Sequence, residues 1–148
     1  MTLKQWQANG WLKPHATSRQ EIGKLFALVR RDLADARQGA ISDDWRFGIA
    51  YNAALKLCTI LLYAEGYRPA HDLAHYRALQ SLSVILGPER KVDAEYLDRC
   101  RTKRNTVEYD RVGGATSADA NELMGFIQTL ESDVILWLKK DHPELLPP

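Results

Sequence analysis

The chain has 148 residues, 45 per cent of them hydrophobic and 26 per cent charged, with a formal net charge of +1. That length suits one domain able to bury about two thirds of the surface of its unfolded form, with no need of disulfide or metal staples. The near-zero net charge excludes a strong whole-molecule field, so a nucleic-acid partner has to be held by a local patch.

Residues 1–17 place Trp6, Trp11 and Leu12 among Gln, Asn, Gly and Pro without a long period. They are expected to form an irregular strap or a short helix whose two indoles dock on the rest of the chain or on a second subunit. From Ser18 to Gln38 the spacing predicts a helix. Ser18 precedes Glu21 at capping-box distance, and Ile22, Leu25, Phe26, Val29, Leu33 and Ala36 recur on one face, with Gly39 as the expected C-cap. A second helix is expected from Asp43 to Glu65 behind Ser42. Its Ala50, Ala53, Ala54, Leu57, Cys58, Leu61 and Leu62 make more than half its circumference apolar, as in an element with several neighbours. Gly66-Tyr67-Arg68-Pro69 breaks the pattern, and a third helix runs from His71 to Leu86, ending at Gly87-Pro88. A fourth starts near Asp93, carries Tyr96, Leu97, Cys100 and Val107, and stops at Val112-Gly113-Gly114. A fifth begins after Ser117 and repeats Leu123, Phe126, Ile127, Leu130, Val134, Trp137 and Leu138.

No segment shows sustained alternation of period two, so the expectation is an all-α, up-and-down antiparallel bundle of four to five helices. The expected organisation is a strap over 1–17, a single bundle domain over 18–142 and a tail over 143–148. Cys58 and Cys100 lie in apolar helical patterns without zinc-site spacing, which predicts buried reduced thiols. Residues 1–4 open no apolar core of signal-peptide length. The longest apolar stretch, Ile49 to Ala64, is interrupted by Asn52 and Lys56, so a cytoplasmic chain with no membrane partner is expected.

The chemistry concentrates in Arg101-Thr-Lys-Arg104-Asn105-Thr-Val-Glu108-Tyr109-Asp110. On a helix, Leu97, Cys100, Arg104 and Val107 share one face, which turns Arg104 inward. An inward guanidinium requires a carboxylate, a carbonyl or a ligand anion. Arg101, Asn105 and Tyr109 follow one another at intervals of four beside it, and Glu108 is four residues after Arg104. One reading of this spacing is an intrahelical Arg–Glu pair with a solvated edge. The other is that the guanidinium and the Asn105 amide converge on a phosphate or a base edge, with Tyr109 as hydroxyl donor or stacking surface. Arg99, Arg101, Lys103, Arg104 and Arg111 form the one concentrated basic stretch, blunted by Asp98, Glu108 and Asp110.

His71 and His75, four apart at the expected start of the third helix, can face one way. Such a pair can hold a metal when a third ligand approaches, but Asp72 lies off its face and the Glu of a zinc-protease helix is missing, so ordinary polar helix-start residues are one reading and no metal site is expected. The other reading sends His75 across a bundle groove toward the fourth helix as a proton acceptor.

Arg104-Asn105, a short spacer and a ring-bearing polar residue resemble the motif of the HEPN superfamily, in which an arginine and a polar residue are followed after several positions by a histidine. The Ala50-Tyr51-Asn52-Ala53-Ala54-Leu55 segment, the Gly66-Tyr67-Arg68 break followed by His75, and the Arg101–Asp110 stretch together resemble an uncharacterised bacterial branch of it. The resemblance implies a four- or five-helix bundle, often dimeric, with the arginine motifs of two subunits facing a shared cleft. It implies either a metal-independent ribonuclease of toxin–antitoxin or defence systems, or a non-catalytic partner of a small nucleotidyltransferase. The chain departs from the catalytic pattern at Tyr109, which stands where the family's histidine falls; a phenol with a pKa of about 10 is a poor base at neutral pH beside an imidazole at about 6.5.

The expected function is therefore a non-catalytic or weakly active module without cofactor. As a homodimer it would bind RNA, a nucleotide, or a nucleotidyltransferase or antitoxin partner. Its candidate ligand-binding residues are Arg101, Arg104, Asn105, Glu108 and Tyr109, with Tyr51 of the second helix. The alternative is a metal-independent endoribonuclease in which Arg104 stabilises phosphorane charge, Asn105 orients the phosphate, and His75 or Tyr109 moves the proton. A third reading is a structural interaction protein, with Arg104 bridging a carboxylate such as Asp44 or Glu65.

Overall fold

In a computed structural model the protein is described over residues 1–109 and 114–147, the side chains of residues 107–109 excepted. Six helices and two short strands follow in order: α1 (Leu3–Ala8), β1 (Leu12–Pro14), α2 (Arg19–Ala36), α3 (Asp43–Ala64), β2 (Tyr67–Pro69), α4 (Ala74–Leu86), α5 (Lys91–Tyr109) and α6 (Ser117–Asp141). Single 3-10 turns at Pro88–Arg90 and Pro143–Leu145 complete it.

The helix starts follow their caps. Ser18, Ser42 and Thr116 each accept a hydrogen bond from a backbone N–H three residues on, which satisfies a donor the helix itself leaves open. Thr116 forms a full capping box with Asp119. The box expected at Ser18 is only half made. Glu21 gives its N–H to Ser18, but its carboxylate turns to Thr17 Oγ1 and His15 Nε2, both at 2.7 Å. Nor does Gly39 cap α2: the helix ends at Ala36, and its C-cap is Arg37.

The expected central helix is central. α3 packs against α2, α4, α5 and α6, and Phe47, Ala50, Tyr51, Ala54, Leu57, Cys58 and Leu61 are wholly or almost wholly buried along it. It is also the one described helix long and apolar enough to cross a membrane, and 67 per cent of that stretch is buried inside the bundle. Both cysteines are buried and unbridged. Burial pushes the Cys58 thiol up to about 12, and the Cys100 thiol to about 11 against the lowering effect of a hydrogen bond with Tyr96.

The chain is mostly helical, as expected of an all-α bundle, and one small unexpected sheet is added to it: β1 and β2 pair antiparallel, with Leu12 opposite Pro69, Lys13 opposite Arg68 and Pro14 opposite Tyr67. Strands of three residues are too short to display a period, and a two-stranded ribbon is all edge, where proline is tolerated. The third helix starts at Ala74 rather than His71. Residues 67–69 are held in the ribbon instead, and Leu73 enters the helix in the left-handed region at φ 55°. The expected stop at Val112-Gly113 lies outside the described residues.

Residues 1–17 belong to the same core. Trp6 and Leu12 are buried, Trp11 sits edge-on to Trp6 at 5.9 Å between ring centroids, and the Arg77 guanidinium of α4 lies 3.7 Å above the Trp11 ring. The indoles therefore dock on this chain's own bundle. Backbone bonds from His15 N–H to Gly66 O and from Ala70 N–H to Trp11 O, at 2.8 and 2.9 Å, fasten the segment to the loop that leads into α4.

Candidate functional site

The ribbon and the left-handed turn at Leu73 set α4 down with its first turn against α5. A cleft of about 470 Å³ opens there, lined by Pro69, Ala70, His71, Leu73, Ala74, His75, Tyr76, Arg101 and Asn105. Three of the residues expected from the sequence thus line one hollow: His75 of α4 with Arg101 and Asn105 of α5. Arg104 adjoins it from the next position around α5, half-buried with its Nε out of solvent, and its guanidinium carbon lies 5.6 Å from the Tyr51 ring centroid. The inward turn expected of Arg104 is therefore partial: its guanidinium reaches the rim of the core at Tyr51.

Arg101 is positioned by Asp98 one turn back, whose carboxylate accepts from Nε at 2.8 Å. This contact holds Arg101 in the cleft lining, with the Tyr76 ring centroid 5.9 Å from Cζ. The first turn of α4 has no side-chain cap. Ala74, His75 and Tyr76, whose backbone N–H groups no intrahelical carbonyl can satisfy, are all part of the lining. One guanidinium, an amide, an imidazole and a helix N-terminus so share one concavity with a second guanidinium, that of Arg104, beside it, a donor set suited to a phosphate oxygen.

His75 stays exposed at the cleft surface, but protein packed around its ring, followed by the charges of Arg104 and Arg101, holds its pKa below the ordinary histidine value. At pH 7 it is neutral and can accept a proton or a hydrogen bond. The sequence reading that sends it across the groove to the arginine helix matches this placement. The paired reading of His71 and His75 does not survive. His71 precedes the helix and is fully exposed beside Asp72, so the interval of four has no helical meaning. Among the described residues no three His, Cys, Asp or Glu side chains converge as metal ligands.

Tyr51 is misplaced as a direct ligand residue. It is completely buried beneath Arg104 and His75, its phenol raised by burial against the pull of Arg101 and Arg104. Glu108 and Tyr109 lie outside the residues whose side chains are described. Of the carboxylates considered as bridges for Arg104, Asp44 accepts from the Ala115 N–H at 3.0 Å and Glu65 faces His142 Nε2 at 3.6 Å.

The basic stretch divides between two faces. Arg101 turns to the α4 cleft, whereas Lys103 donates to Asp119 of α6 at 2.7 Å; Arg111 lies outside the described residues. Sequence reasoning missed Tyr76 and Asp98 as parts of the site. Asp98, three residues before Arg101, is legible as an i,i+3 partner; Tyr76 becomes visible only once the start of α4 is fixed.

No family model, curated protein or solved structure matches the chain.

Proposed function

We propose that this chain is a HEPN-like helical module that binds the phosphate of RNA or of a nucleotide in the cleft between α4 and α5. The observation that carries the reading is the convergence of Arg101, Asn105, His75 and the uncapped first turn of α4 on one hollow, with Arg104 beside it. Guanidinia suit phosphate because they are planar, permanently charged and able to donate in parallel pairs. The net charge of +1 makes the binding local, with few phosphates neutralised and a shallow salt dependence. A homodimer with two such edges facing one cleft, a nucleotidyltransferase or antitoxin partner, and a cytoplasmic setting accompany this reading through the resemblance.

The test is fluorescence anisotropy with a labelled single-stranded oligoribonucleotide. Arg101→Ala and Arg104→Ala weaken binding about tenfold or more each while far-UV circular dichroism stays unchanged. Unfolding of Arg104→Ala, with ligand affinity unaltered in its folded fraction and in Arg101→Ala, would assign the arginine a structural role instead.

The low pKa of His75 favours one second reading, an endoribonuclease. Neutral His75 takes the proton of a ribose 2′-hydroxyl, whose oxygen attacks the adjacent phosphorus. The P–O5′ bond breaks to give a 2′,3′-cyclic phosphate, and a proton from water completes the 5′-hydroxyl. Arg104 would stabilise the phosphorane oxygens and Asn105 orient them. Product ends identified by mass spectrometry, lost in His75→Ala, decide it.

A further inference from the structure

Three helices meet on one ring. Tyr51 of α3 is fully buried, the Arg104 guanidinium carbon of α5 lies 5.6 Å from its centroid, and the His75 ring of α4 lies 6.3 Å from it at an interplanar angle of 45°. α3 is the element that the other long helices pack against, so the ring is the fixed point and the two polar groups rest on it. We propose that Tyr51 is the positioning residue of the cleft: its aromatic ring, not its hydroxyl, sets Arg104 and His75 relative to each other. The ligand arm of the test below rests on the phosphate-binding reading; the imidazole arm does not.

The hydroxyl is the informative negative. Buried hydroxyls normally have a partner, and Tyr51 Oη has none among the described residues. Hydrogen bonding is thus not what the side chain contributes in this arrangement. What remains is the ring, whose electron-rich face attracts a guanidinium within about 6 Å and whose bulk crowds the imidazole. Burial keeps the phenol un-ionised, so it places no charge beside Arg104. Among the described residues, the titratable and charged groups around His75 are Arg104 and Arg101 of α5, Asp98 bound to Arg101, Tyr51 of α3, and His71 and Tyr76 on the same cleft wall.

The experiment follows the His75 ring protons by NMR through a pH titration of the intact chain. It compares wild type, Tyr51→Phe, Tyr51→Leu and Arg104→Lys, and measures binding of a fluorescein-labelled oligouridylate in parallel. In Tyr51→Leu the guanidinium loosens and the imidazole gains water. Both changes raise the His75 midpoint toward the ordinary histidine value, and the oligonucleotide binds about threefold to tenfold more weakly. Tyr51→Phe keeps the ring and keeps the low midpoint. Arg104→Lys preserves the charge but not the planar, delocalised group that reaches the ring, and also raises the midpoint. Should Tyr51→Leu fail to fold, the contrast between Arg104→Lys and Tyr51→Phe carries the test. A midpoint unchanged in folded Tyr51→Leu or in Arg104→Lys overturns the proposal, as does a Tyr51→Phe midpoint that moves as far as that of Tyr51→Leu. If the midpoints shift as expected while wild type binds no oligonucleotide, the positioning role stands and the phosphate reading falls. If binding weakens with no movement of the midpoint, the positioning role falls and the phosphate reading stands.

Discussion

Lys56 Nζ of α3 donates to Asp32 Oδ2 of α2 at 2.5 Å, and the Asp32 side chain keeps only 7 per cent of its exposure. The lysine that interrupts the apolar run of α3 is thereby explained, because it answers a carboxylate trapped between two helices. Arg31 holds the other oxygen at 3.1 Å from a largely solvated position. Removing Lys56 leaves a buried charge with a weak partner. Lys56→Met is expected to cost about 2–4 kcal/mol in urea unfolding, and adding Asp32→Leu to recover most of that, since an apolar pair avoids the desolvation penalty. Equal losses in single and double variants would contradict this account.

A second carboxylate ties the N-terminal segment to the bundle. Glu21 accepts from His15 Nε2 and Thr17 Oγ1, and these bonds, that with His15 first, lower its pKa from the usual carboxylate value. A folded-state pKa below the unfolded one means the unfolded chain binds the proton more readily. The stabilisation is thus present above the ordinary glutamate range and is lost as pH falls through the folded value. Melting temperature against pH is expected to decline on the acid side in wild type and to decline less in Glu21→Gln. Because the Glu21 side chain is 39 per cent exposed, solvent screening keeps the difference small.

Much of this architecture was legible in the sequence because helix periodicity and caps are local signals. Ser18, Ser42 and the Leu123-to-Leu138 repeat each announce their element without help from distant residues. The ribbon was not, because Leu12 to Pro14 acquire strand character only by meeting Tyr67 to Pro69 across more than fifty intervening positions. The site was half legible. Arg101, Arg104 and Asn105 are marked by their spacing along one helix, and His75 by the reading that sends it across a groove toward that helix. Their common cleft depends on where α4 begins, and that is decided by the ribbon and by Leu73 rather than by any cap.

Leu73 holds a left-handed backbone, φ 55° and ψ 32°, and the residue is 61 per cent exposed. A Cβ in that region costs about 1–2 kcal/mol, while the exposed side chain returns little by packing. Leu73→Gly is expected to stabilise the protein by about 0.5–1 kcal/mol after the larger chain entropy of unfolded glycine is counted. Thermal melts read it directly. A loss of stability would show that the leucine makes packing contacts that outweigh the strain.

His75 gives the cleft a pH signature. Its pKa lies below the ordinary value through protein packed around its ring and through Arg104 and Arg101, so it is uncharged at pH 7 and gains a positive charge only as pH falls through that lowered value. Binding of inorganic phosphate or an oligoribonucleotide is expected to tighten over that acidic interval and to stay flat above it. His75→Ala removes the acidic rise and leaves the neutral-pH affinity carried by the arginines. If the endoribonuclease reading holds, rate follows the opposite limb: activity rises with pH through the same midpoint because the neutral imidazole is the acceptor.

Trp11 connects the N-terminal segment to that cleft by three routes. Its ring meets Trp6 at 5.9 Å and lies 3.7 Å under the Arg77 guanidinium of α4, and its carbonyl accepts from Ala70 N–H. Trp11→Ala keeps the carbonyl and removes both ring contacts. Because the indole is half-buried, the loss is expected to be about 2–3 kcal/mol, below the full penalty of deleting a core tryptophan. The structural consequence reaches further than the energy. Arg77 is two residues after His75 at the start of α4, and Pro69 and Ala70, the latter fastened by the Trp11 carbonyl, belong to the cleft lining, so releasing the ring loosens one wall of the hollow. Phosphate affinity is therefore expected to fall in Trp11→Ala even at temperatures where circular dichroism reports a fully helical bundle. Trp11→Phe, which retains an aromatic face for Arg77, should restore most of it. Unaltered affinity in folded Trp11→Ala would uncouple the N-terminal segment from the cleft and reduce its role to stability alone.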